Sequence, residues 1–252
     1  MYAPKLSKGV FKMQNKLLGK TIIWNGDSIC AGSSLYGNWA TRIAENNSMI
    51  YKNYAVGGGT IAENTIPNRT TGKPRHTVSG TLDLMQEEYP DADYIIFEGG
   101  TNDADLLGIA VSGDEPNKLG SYEKNDYSGN YDRDTFCGAL ESVFYRATKY
   151  WQGKKIGFIV AQKMCACTPL KYDNRRYYFD KAVEICIKWG IPYIDLWNGC
   201  YLNPMLPHMY NAENTTEENK LQNVGYYTDG QHLTARGYDV TADVIESWLN
   251  TL

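Results

Sequence analysis

The sequence lacks any apolar run long enough to cross a membrane. No stretch of its 252 residues approaches the roughly 18 consecutive apolar residues that a membrane-spanning helix needs. The N-terminal region also lacks the continuous apolar segment of a signal peptide and instead carries spaced lysines: Lys5, Lys8, Lys12, Lys16 and Lys20. We therefore expect a cytoplasmic protein without a membrane partner, although a secreted chain whose leader had been removed would have the same sequence.

Basic charge is not in excess either. The 25 Lys and Arg residues are outnumbered by 29 Asp and Glu residues, which gives a net charge of -4. A general nucleic-acid binder presents a basic face, so no nucleic-acid partner is expected. Hydrophobic residues make up 42% of the chain and charged residues 21%, as is usual in a soluble globular protein, and this length often forms one α/β domain.

Paired metal-binding cysteines are also missing. None of the six cysteines forms a C-x-x-C pair, and the single residue between Cys165 and Cys167 is poor spacing for zinc. The remaining four are Cys30, Cys137, Cys186 and Cys200. Free cysteines are often buried, so we expect reduced core thiols and no metal site.

Short apolar runs alternate with helical patterns along the chain. Five runs are predicted to be strands: residues 21–25, 50–54, 94–98, 156–162 and 193–196. The third and fourth are nearly all apolar, as is typical of central strands that are buried on both faces. Strands that alternate with helices predict a parallel sheet with helices on both sides.

Helical periodicity is clearest in the second half of the chain. Apolar residues recur at helical spacing over residues 136–151 and 178–189, and again on one face of residues 244–252. Asp173 is a candidate N-cap for the second of these helices, and Gly190 is a candidate stop. Weaker helical patterns cover two earlier stretches, residues 37–47 and 79–88.

Two long segments show neither pattern. Residues 104–133 are rich in glycine and contain Tyr122, Tyr127 and Tyr131, and residues 201–228 are rich in Asn, Glu and Tyr. Loops of this length in a compact domain are usually functional or mobile. Because each adjoins a motif described below, we interpret both as walls of a substrate cleft. Ordinary surface excursions are the alternative.

A serine directly follows the first predicted strand, in the sequence Asn25-Gly26-Asp27-Ser28. The carboxyl end of a strand is where open α/β sheets bind ligands, and Gly26 permits a tight turn there. The backbone N–H groups after such a turn can face a developing oxyanion. Asp-Ser after a strand is also a common helix cap, so this motif alone leaves both interpretations open.

Glycine-rich segments follow the next two predicted strands. Residues 53–60 include Gly58 within three successive glycines, and the Lys-Ser/Thr of a phosphate-binding loop is missing. A plain flexible turn is the alternative there. In residues 98–103, the Asn102 side chain offers two N–H donors that suit an oxyanion. An Asn in such a turn is often present for its tolerance of left-handed backbone instead.

An Asp-x-x-His segment, Asp229 to His232, lies just before the final helical pattern. If the segment turns, Asp229 can reach Nδ1 of His232, fix its tautomer and leave Nε2 free as a base. The other histidines, His76 and His208, have no Asp placed in this way. Such matches are common by chance, but the preceding three motifs lie at strand ends that meet at one rim of a parallel sheet.

Together and in this order, the motifs resemble those of the SGNH (GDSL-like) hydrolases. Gly26-Asp27-Ser28 resembles block I, Gly58 block II, residues 100–103 block III, and the Asp-x-x-His segment block V. The resemblance implies a flavodoxin-like three-layer α/β/α sandwich with a parallel sheet of about five strands. It would form one domain over residues 21–252, preceded by an N-terminal arm at residues 1–20. The absence of Gly-x-Ser-x-Gly argues against the α/β-hydrolase fold.

The resemblance also implies a role for each residue. Ser28 is the expected nucleophile, His232 the general base and Asp229 the residue that orients it. The expected oxyanion hole comprises the N–H of Ser28, the N–H of Gly58 and the Asn102 side chain. No metal or organic cofactor is required.

Two positions depart from the family pattern. Asn25 stands where an apolar residue usually precedes Gly-Asp-Ser, and Glu98-Gly99 stands before Gly-Thr-Asn-Asp where apolar residues are more usual. Both leave the expected catalytic set intact. They put the polarity of the pocket in question rather than the mechanism.

The activity implied is that of a serine esterase that works through an acyl-enzyme. With 20 Tyr and 6 Trp, the chain has many rings that can stack on sugars, and residues 112–133 are too polar for a lipase lid. We therefore expect short-chain acyl esters as substrates, with acetyl groups on a carbohydrate first. The alternatives are an acyltransferase or thioesterase with the same triad, and a non-catalytic glycan-binding module on the same fold.

Overall fold

The computed structural model describes residues 15–63, 67, 72–106, 119–165, 169–210 and 225–252, with the side chains of residues 169–173 left out. Its elements, in chain order, are β1 (Thr21–Asn25), α1 (Ser28–Ala31), α2 (Trp39–Asn47), β2 (Ile50–Asn53), α3 (Val78–Glu88), β3 (Tyr94–Glu98), α4 (Thr101–Leu106), α5 (Phe136–Tyr150), β4 (Lys155–Val160), α6 (Pro169–Trp189), β5 (Tyr193–Asp195), α7 (Leu196–Gly199) and α8 (Ala235–Leu249).

The five strands form one parallel sheet in the order β2-β1-β3-β4-β5. Every residue of β3 is buried, as is every residue of β4 after Lys155, which confirms that these apolar runs are central strands. The strand order reverses between β1 and β3, where Ile23 pairs with Ile95. In doubly wound sheets, ligands bind outside the carboxyl ends of the strands at such a reversal.

Helices cover both faces of the sheet. Helix α2 packs against α8, while α3, α5 and α6 pack side by side. Right-handed crossovers place these two groups on opposite faces, so the predicted three-layer sandwich is confirmed. The ring of Trp248 in α8 covers Gly157 of β4, where an added methyl group would meet it at 2.6 Å. Within the described residues, no helix is long and apolar enough to cross a membrane.

Polar caps define where several helices begin. The side chains of Asn38, Thr77, Thr135 and Thr234 accept backbone N–H groups at the starts of α2, α3, α5 and α8, respectively. Helix α6 begins at Pro169, earlier than the predicted N-cap Asp173, so that prediction is wrong. Helix α8 also begins well before the apolar face on which its prediction depended.

The predicted boundary between an arm and a domain at residue 20 lies too late in the chain. Leu17 is fully buried, the Asn15 side chain donates to Asn47 at 2.8 Å, and the Lys16 N–H donates to Asn250. Residues 15–20 therefore belong to the packed domain, and the rest of the predicted arm lies outside the described residues.

Four cysteines in the part of the chain that the structure describes are buried free thiols, as expected: Cys30, Cys137, Cys186 and Cys200. Cys165 is partly exposed. Cys167 lies outside the described residues.

The structure describes two parts of the first long segment: residues 104–106, which end α4, and the tyrosine-rich loop, residues 119–133. The loop runs along α5 and α6: the Tyr127 ring lies 5.2 Å from that of Trp189, and the Tyr131 ring lies 6.2 Å from that of Tyr145. Because α6 leads from the end of β4 to the start of β5, Trp189 lies at the edge of the sheet opposite the carboxyl ends of the strands. The part of the loop from Tyr122 to Tyr131 therefore extends away from that rim, and the interpretation as a cleft wall is wrong for these residues.

Lys188 holds the tyrosine-rich loop in place. Its Nζ lies 5.0–5.9 Å from the centres of four rings, which belong to Tyr122, Tyr127, Tyr131 and Trp189. It also forms an ion pair with Glu141, and both side chains are only 3% exposed. The three tyrosines thus surround a buried cation and are not available to stack on a sugar at the rim.

Candidate active site

The structure brings the three predicted catalytic residues into one hydrogen-bonded chain. Ser28 is the first residue of α1, and its Oγ lies 2.9 Å from Nε2 of His232. Nδ1 of His232 lies 2.7 Å from Oδ2 of Asp229. The other oxygen of Asp229 accepts the N–H groups of Gln231 and His232 at 3.0 and 2.7 Å, so the segment turns as predicted.

This pair of side chains is accessible and strongly coupled. The side chain of His232 is 38% exposed and that of Asp229 is 53% exposed. Partial burial raises the pKa of Asp229, but the hydrogen bond and charge of His232 outweigh it and lower that pKa to about 2. Burial lowers the pKa of His232, but Asp229 outweighs it and the net shift is upward from 6.5. Asp229 is therefore ionised at neutral pH.

The turn that carries Ser28 rests on buried carboxyl groups. Asp27 is 1% exposed and caps α1 by accepting the N–H of Ile29 at 2.8 Å. The Asp27 N–H donates to Oε2 of Glu98, which is fully buried at the end of β3. A methyl group at Gly26 would meet that same oxygen at 2.6 Å, so only glycine permits the carboxyl to lie so close to the turn.

Burial raises the pKa of Glu98 well above its ordinary value, and the negative charge of Asp27 raises it further. Burial also raises the pKa of Asp27, but the N–H of Ile29 opposes that shift. These shifts favour a proton on Glu98 over a proton on Asp27, and Glu98 accepts the Asp27 N–H.

The other departure from the family pattern, Asn25, has a partly buried partner that the sequence did not indicate. Its Oδ1 lies 2.8 Å from Nε2 of His76, and its Nδ2 donates to the carbonyl of Val78. Asn25 and Glu98 are both fully buried, so neither lines the pocket. Glu98 bonds the nucleophile turn through Asp27, and Asn25 bonds His76 and Val78. Their polar groups therefore serve buried contacts and do not change the polarity of the pocket.

The loop after β2 lies beside the nucleophile. Gly58 has φ +77°, a left-handed conformation that favours glycine, and a methyl group at Gly57 would lie 3.9 Å from Cβ of Ser28. The Gly58 carbonyl accepts Nη1 of Arg75 at 3.0 Å, and the Gly59 N–H donates to Val56. The loop therefore has a defined shape in which Gly57, directly before Gly58, adjoins Ser28.

Asn102 lies in α4 and connects all three strand-end motifs. Its Nδ2 donates to the carbonyl of Gly59 at 2.9 Å and lies 3.4 Å from Oδ2 of Asp27. Its neighbour Asp103 is fully buried and accepts the N–H groups of Ile61 and Ala62. Burial raises the pKa of Asp103 to about 7, against the opposing effect of those N–H groups. The motifs thus meet as predicted, while the oxyanion role of the donors stays a prediction.

Comparison with known proteins agrees with this geometry. Residues 25–240 match the model of the GDSL-like lipase/acylhydrolase family, which is most of the chain. The chain belongs to this family. It is a carboxylic ester hydrolase, as the resemblance implied. No curated protein sequence matches this acylhydrolase.

Solved structures share the fold of the acylhydrolase over almost its whole length. A protein from Lactobacillus plantarum is 23% identical, with a TM-score of 0.66 over 93% of this chain and 98% of that one. A carbohydrate acetylesterase from Sinorhizobium meliloti is 10% identical, with a TM-score of 0.61 over 92% and 99%. An aryl esterase from M. smegmatis is 12% identical, with a TM-score of 0.56 over 93% and 100%. At these identities the likeness is one of fold.

Proposed function

We propose that this acylhydrolase cleaves short-chain acyl esters, acetyl groups on carbohydrates among them, through an acyl-enzyme on Ser28. The observation that carries the proposal is the continuous chain of hydrogen bonds from Oγ of Ser28 through the imidazole of His232 to Asp229. Such a chain supplies a nucleophile, a base and a group that fixes the tautomer of the base.

In the acylation step, Oγ of Ser28 attacks the ester carbonyl carbon while its proton passes to Nε2 of His232. The tetrahedral intermediate then collapses, the C–O bond to the alcohol breaks, and His232 returns the proton to the leaving oxygen. Water attacks the acyl-enzyme in the same way, giving a proton to His232. The bond between the acyl carbon and Oγ then breaks, His232 returns the proton to Oγ of Ser28, and the carboxylic acid leaves.

The negative charge that develops on the carbonyl oxygen needs donors aimed at it. Ser28 occupies the first position of α1, where the backbone N–H has no partner within the helix. Gly57, directly before Gly58, adjoins Ser28, and the Asn102 amide bonds the carbonyl of Gly59 in the same loop. These three groups are our candidates for the oxyanion hole.

The proposed substrate class has three supports. The partly exposed side chains of His232 and Asp229 suit a small acyl group on a bulky alcohol that stays in solvent. A protein of the same fold is a carbohydrate acetylesterase. Tyr210, against which a methyl group at Gly230 would come within 3.0 Å, is a ring beside the catalytic segment that could contact a sugar.

Replacement of the nucleophile tests the mechanism. Ser28→Ala should lower the turnover of p-nitrophenyl acetate by about 10⁴-fold or more, because no other group can form the acyl-enzyme. Ser247→Ala, which alters an exposed hydroxyl in α8 that is bonded only to the carbonyl of Asp243, is the matched control and should leave turnover unchanged. Unchanged turnover in Ser28→Ala would overturn the mechanism.

The substrate class is tested separately. A series of p-nitrophenyl esters should show the highest kcat/KM for acetate and a decline with chain length, and acetylated sugars should release acetate. A preference for long acyl chains would refute the short-chain proposal. Acyl transfer to added alcohols in place of hydrolysis would identify a transferase, and a chain that neither turns over esters nor reacts with a fluorophosphonate would be a binding module.

A further inference from the structure

Arg175, in the first half of α6, is a cation with almost no access to solvent. It is 2% exposed and ranks among the largest fully buried side chains in the described part of the chain. A buried guanidinium is strongly unfavourable unless its charge is paired and its N–H groups are bonded. The groups that bond the Arg175 guanidinium therefore indicate which parts of the structure it holds together.

Those partners join two separate parts of the active site. Nε and Nη2 of Arg175 donate to the two carboxylate oxygens of Asp105 at 2.9 and 2.7 Å. Nη2 also donates to Oε1 of Gln231 at 2.8 Å. Asp105 lies in α4, three residues after Asn102, and Gln231 lies between Asp229 and His232. The guanidinium thus links the helix of the oxyanion candidate to the segment that carries the base.

Gln231 is held at three points. Its N–H donates to Asp229 at 3.0 Å, its carbonyl accepts Nε2 of Gln162 at 2.9 Å, and its side chain accepts Arg175. The first two contacts fix the backbone of the segment against Asp229 and the end of β4. The third fixes it against α4 and α6, which neither backbone contact does.

We propose that Arg175 is a positioning residue for catalysis, which acts through Gln231 to hold His232 at bonding distance from Ser28 and in register with Asn102. The inference rests on the proposed triad mechanism. Misplacement of a catalytic group by about 1 Å can lower a rate by about 10²-fold. The guanidinium suits this work because its planar, forked donors hold Asp105 and Gln231 in fixed directions, which an ammonium group cannot do.

Four variants separate positioning from general stability. Gln231→Met removes the acceptor and keeps the length of the side chain, while Gln231→Glu keeps an acceptor oxygen. Arg175→Met removes the donor. Arg176→Met is the matched control, because this neighbouring arginine pairs with Asp180 and Asp195 and not with the catalytic segment.

We expect Gln231→Met and Arg175→Met to lower kcat for p-nitrophenyl acetate by about 10- to 100-fold with KM changed less than about threefold, since orientation and not binding is lost. Gln231→Glu should recover most of the loss, and Arg176→Met should match the wild type. The rate of Ser28 modification by a fluorophosphonate should fall in parallel with kcat. If Arg175→Met does not fold, Gln231→Met decides the question.

The outcomes distinguish this inference from the mechanism beneath it. A wild-type chain that fluorophosphonate does not modify at Ser28 would overturn the proposed function itself. A wild-type chain that reacts at Ser28, together with a folded Gln231→Met variant that reacts and turns over equally fast, would overturn the role of Arg175 alone. A lowered melting temperature with unchanged kcat would likewise show a structural role and refute positioning.

Discussion

Asp229 and Glu98 are both carboxyl groups of the candidate active site, and their surroundings drive their protonation in opposite directions. Asp229 lies half in solvent beside an imidazole, which lowers its pKa to about 2. Glu98 is fully buried beside Asp27, and both burial and that neighbouring charge raise its pKa. The same functional group is therefore an anion on the base side, while beneath the nucleophile its surroundings favour the protonated form.

The nucleophile half and the base half of the site differ in how deeply their hydrogen bonds are buried. The nucleophile half is held by buried polar contacts, since Asn25, Asp27, Glu98 and Asp103 are each at most 1% exposed. The base half is an accessible segment that is tied down by backbone bonds and the Gln231 side chain. We expect substitutions in the base half to change chemistry first and those in the nucleophile half to change chemistry and stability together.

The largest effect should come from neutralising the base-side anion. Asp229→Asn should lower kcat by about 10⁴-fold, because the amide no longer holds His232 in the tautomer that leaves Nε2 free to accept a proton. Steady-state kinetics on p-nitrophenyl acetate measures this. Asp239→Asn, a surface carboxylate paired with Arg42, is the control. A loss of kcat of less than tenfold in Asp229→Asn would show that the Asp229 carboxylate is not needed for catalysis.

A smaller effect is expected where the nucleophile half meets the substrate. Asn102→Ala should lower kcat by about 10²–10³-fold, as loss of one oxyanion donor does elsewhere. The circular dichroism spectrum of this variant should stay native, because Asp103 still accepts the N–H groups of Ile61 and Ala62. Asn46→Ala, on the outer side of α2, provides the comparison. Activity near that of the wild type would remove Asn102 from the oxyanion hole.

The pH profile sharpens the contrast from the base side. His232 must be neutral to accept the Ser28 proton, so kcat/KM should fall as the pH drops through its pKa. That pKa is raised above 6.5, because Asp229 and Asp27 favour the imidazolium more than burial and Arg175 disfavour it. The acid limb measured with p-nitrophenyl acetate should therefore lie above pH 6.5. A limb below that value would show that Asp229 does not control His232.

The smallest effect on turnover is expected for replacement of the buried carboxyl group of Glu98. Glu98→Gln keeps a group that accepts the Asp27 N–H without charge, so kcat should change by less than about threefold. Glu98→Leu leaves that buried N–H without an acceptor and should reduce the free energy of unfolding by about 1–3 kcal/mol. Denaturant titration measures this difference, and equal stability of the two variants would count against the contact.

Glu98 should also change how the free energy of unfolding depends on pH. Its pKa is raised in the folded protein, so above the ordinary carboxyl pKa of 4.5 the folded state binds more protons than the unfolded state. Stability is then lost as the pH rises, and Glu98→Gln should flatten that decline. A decline that is the same in both proteins would mean that Glu98 is ionised in the fold.

Much of this arrangement could be predicted from the sequence because its signals are local. Each motif directly follows a strand or precedes a helix. Because the carboxyl ends of parallel strands meet at one rim, Ser28, Gly58, Asn102 and His232 could be placed there from the sequence. The central strands were readable for the same reason, as continuous apolar runs.

The remainder depends on contacts between residues that are distant in sequence. The bonds of Asn25 with His76 and of Arg175 with Gln231 join positions 51 and 56 residues apart, and no local pattern indicates them. Helix α4 spans only six residues, too few to show periodicity. The tyrosine-rich loop packs on Lys188 and Trp189, which are distant in sequence, so its aromatic content alone favoured the wrong interpretation.

Modification by a fluorophosphonate, located by peptide mass spectrometry, tests the central claim most directly. The account predicts one adduct, on Oγ of Ser28, that forms quickly in the wild type, far more slowly in a His232→Ala variant and not at all in Ser28→Ala. An adduct on a different residue, or undiminished labelling of Ser28 without His232, would contradict it.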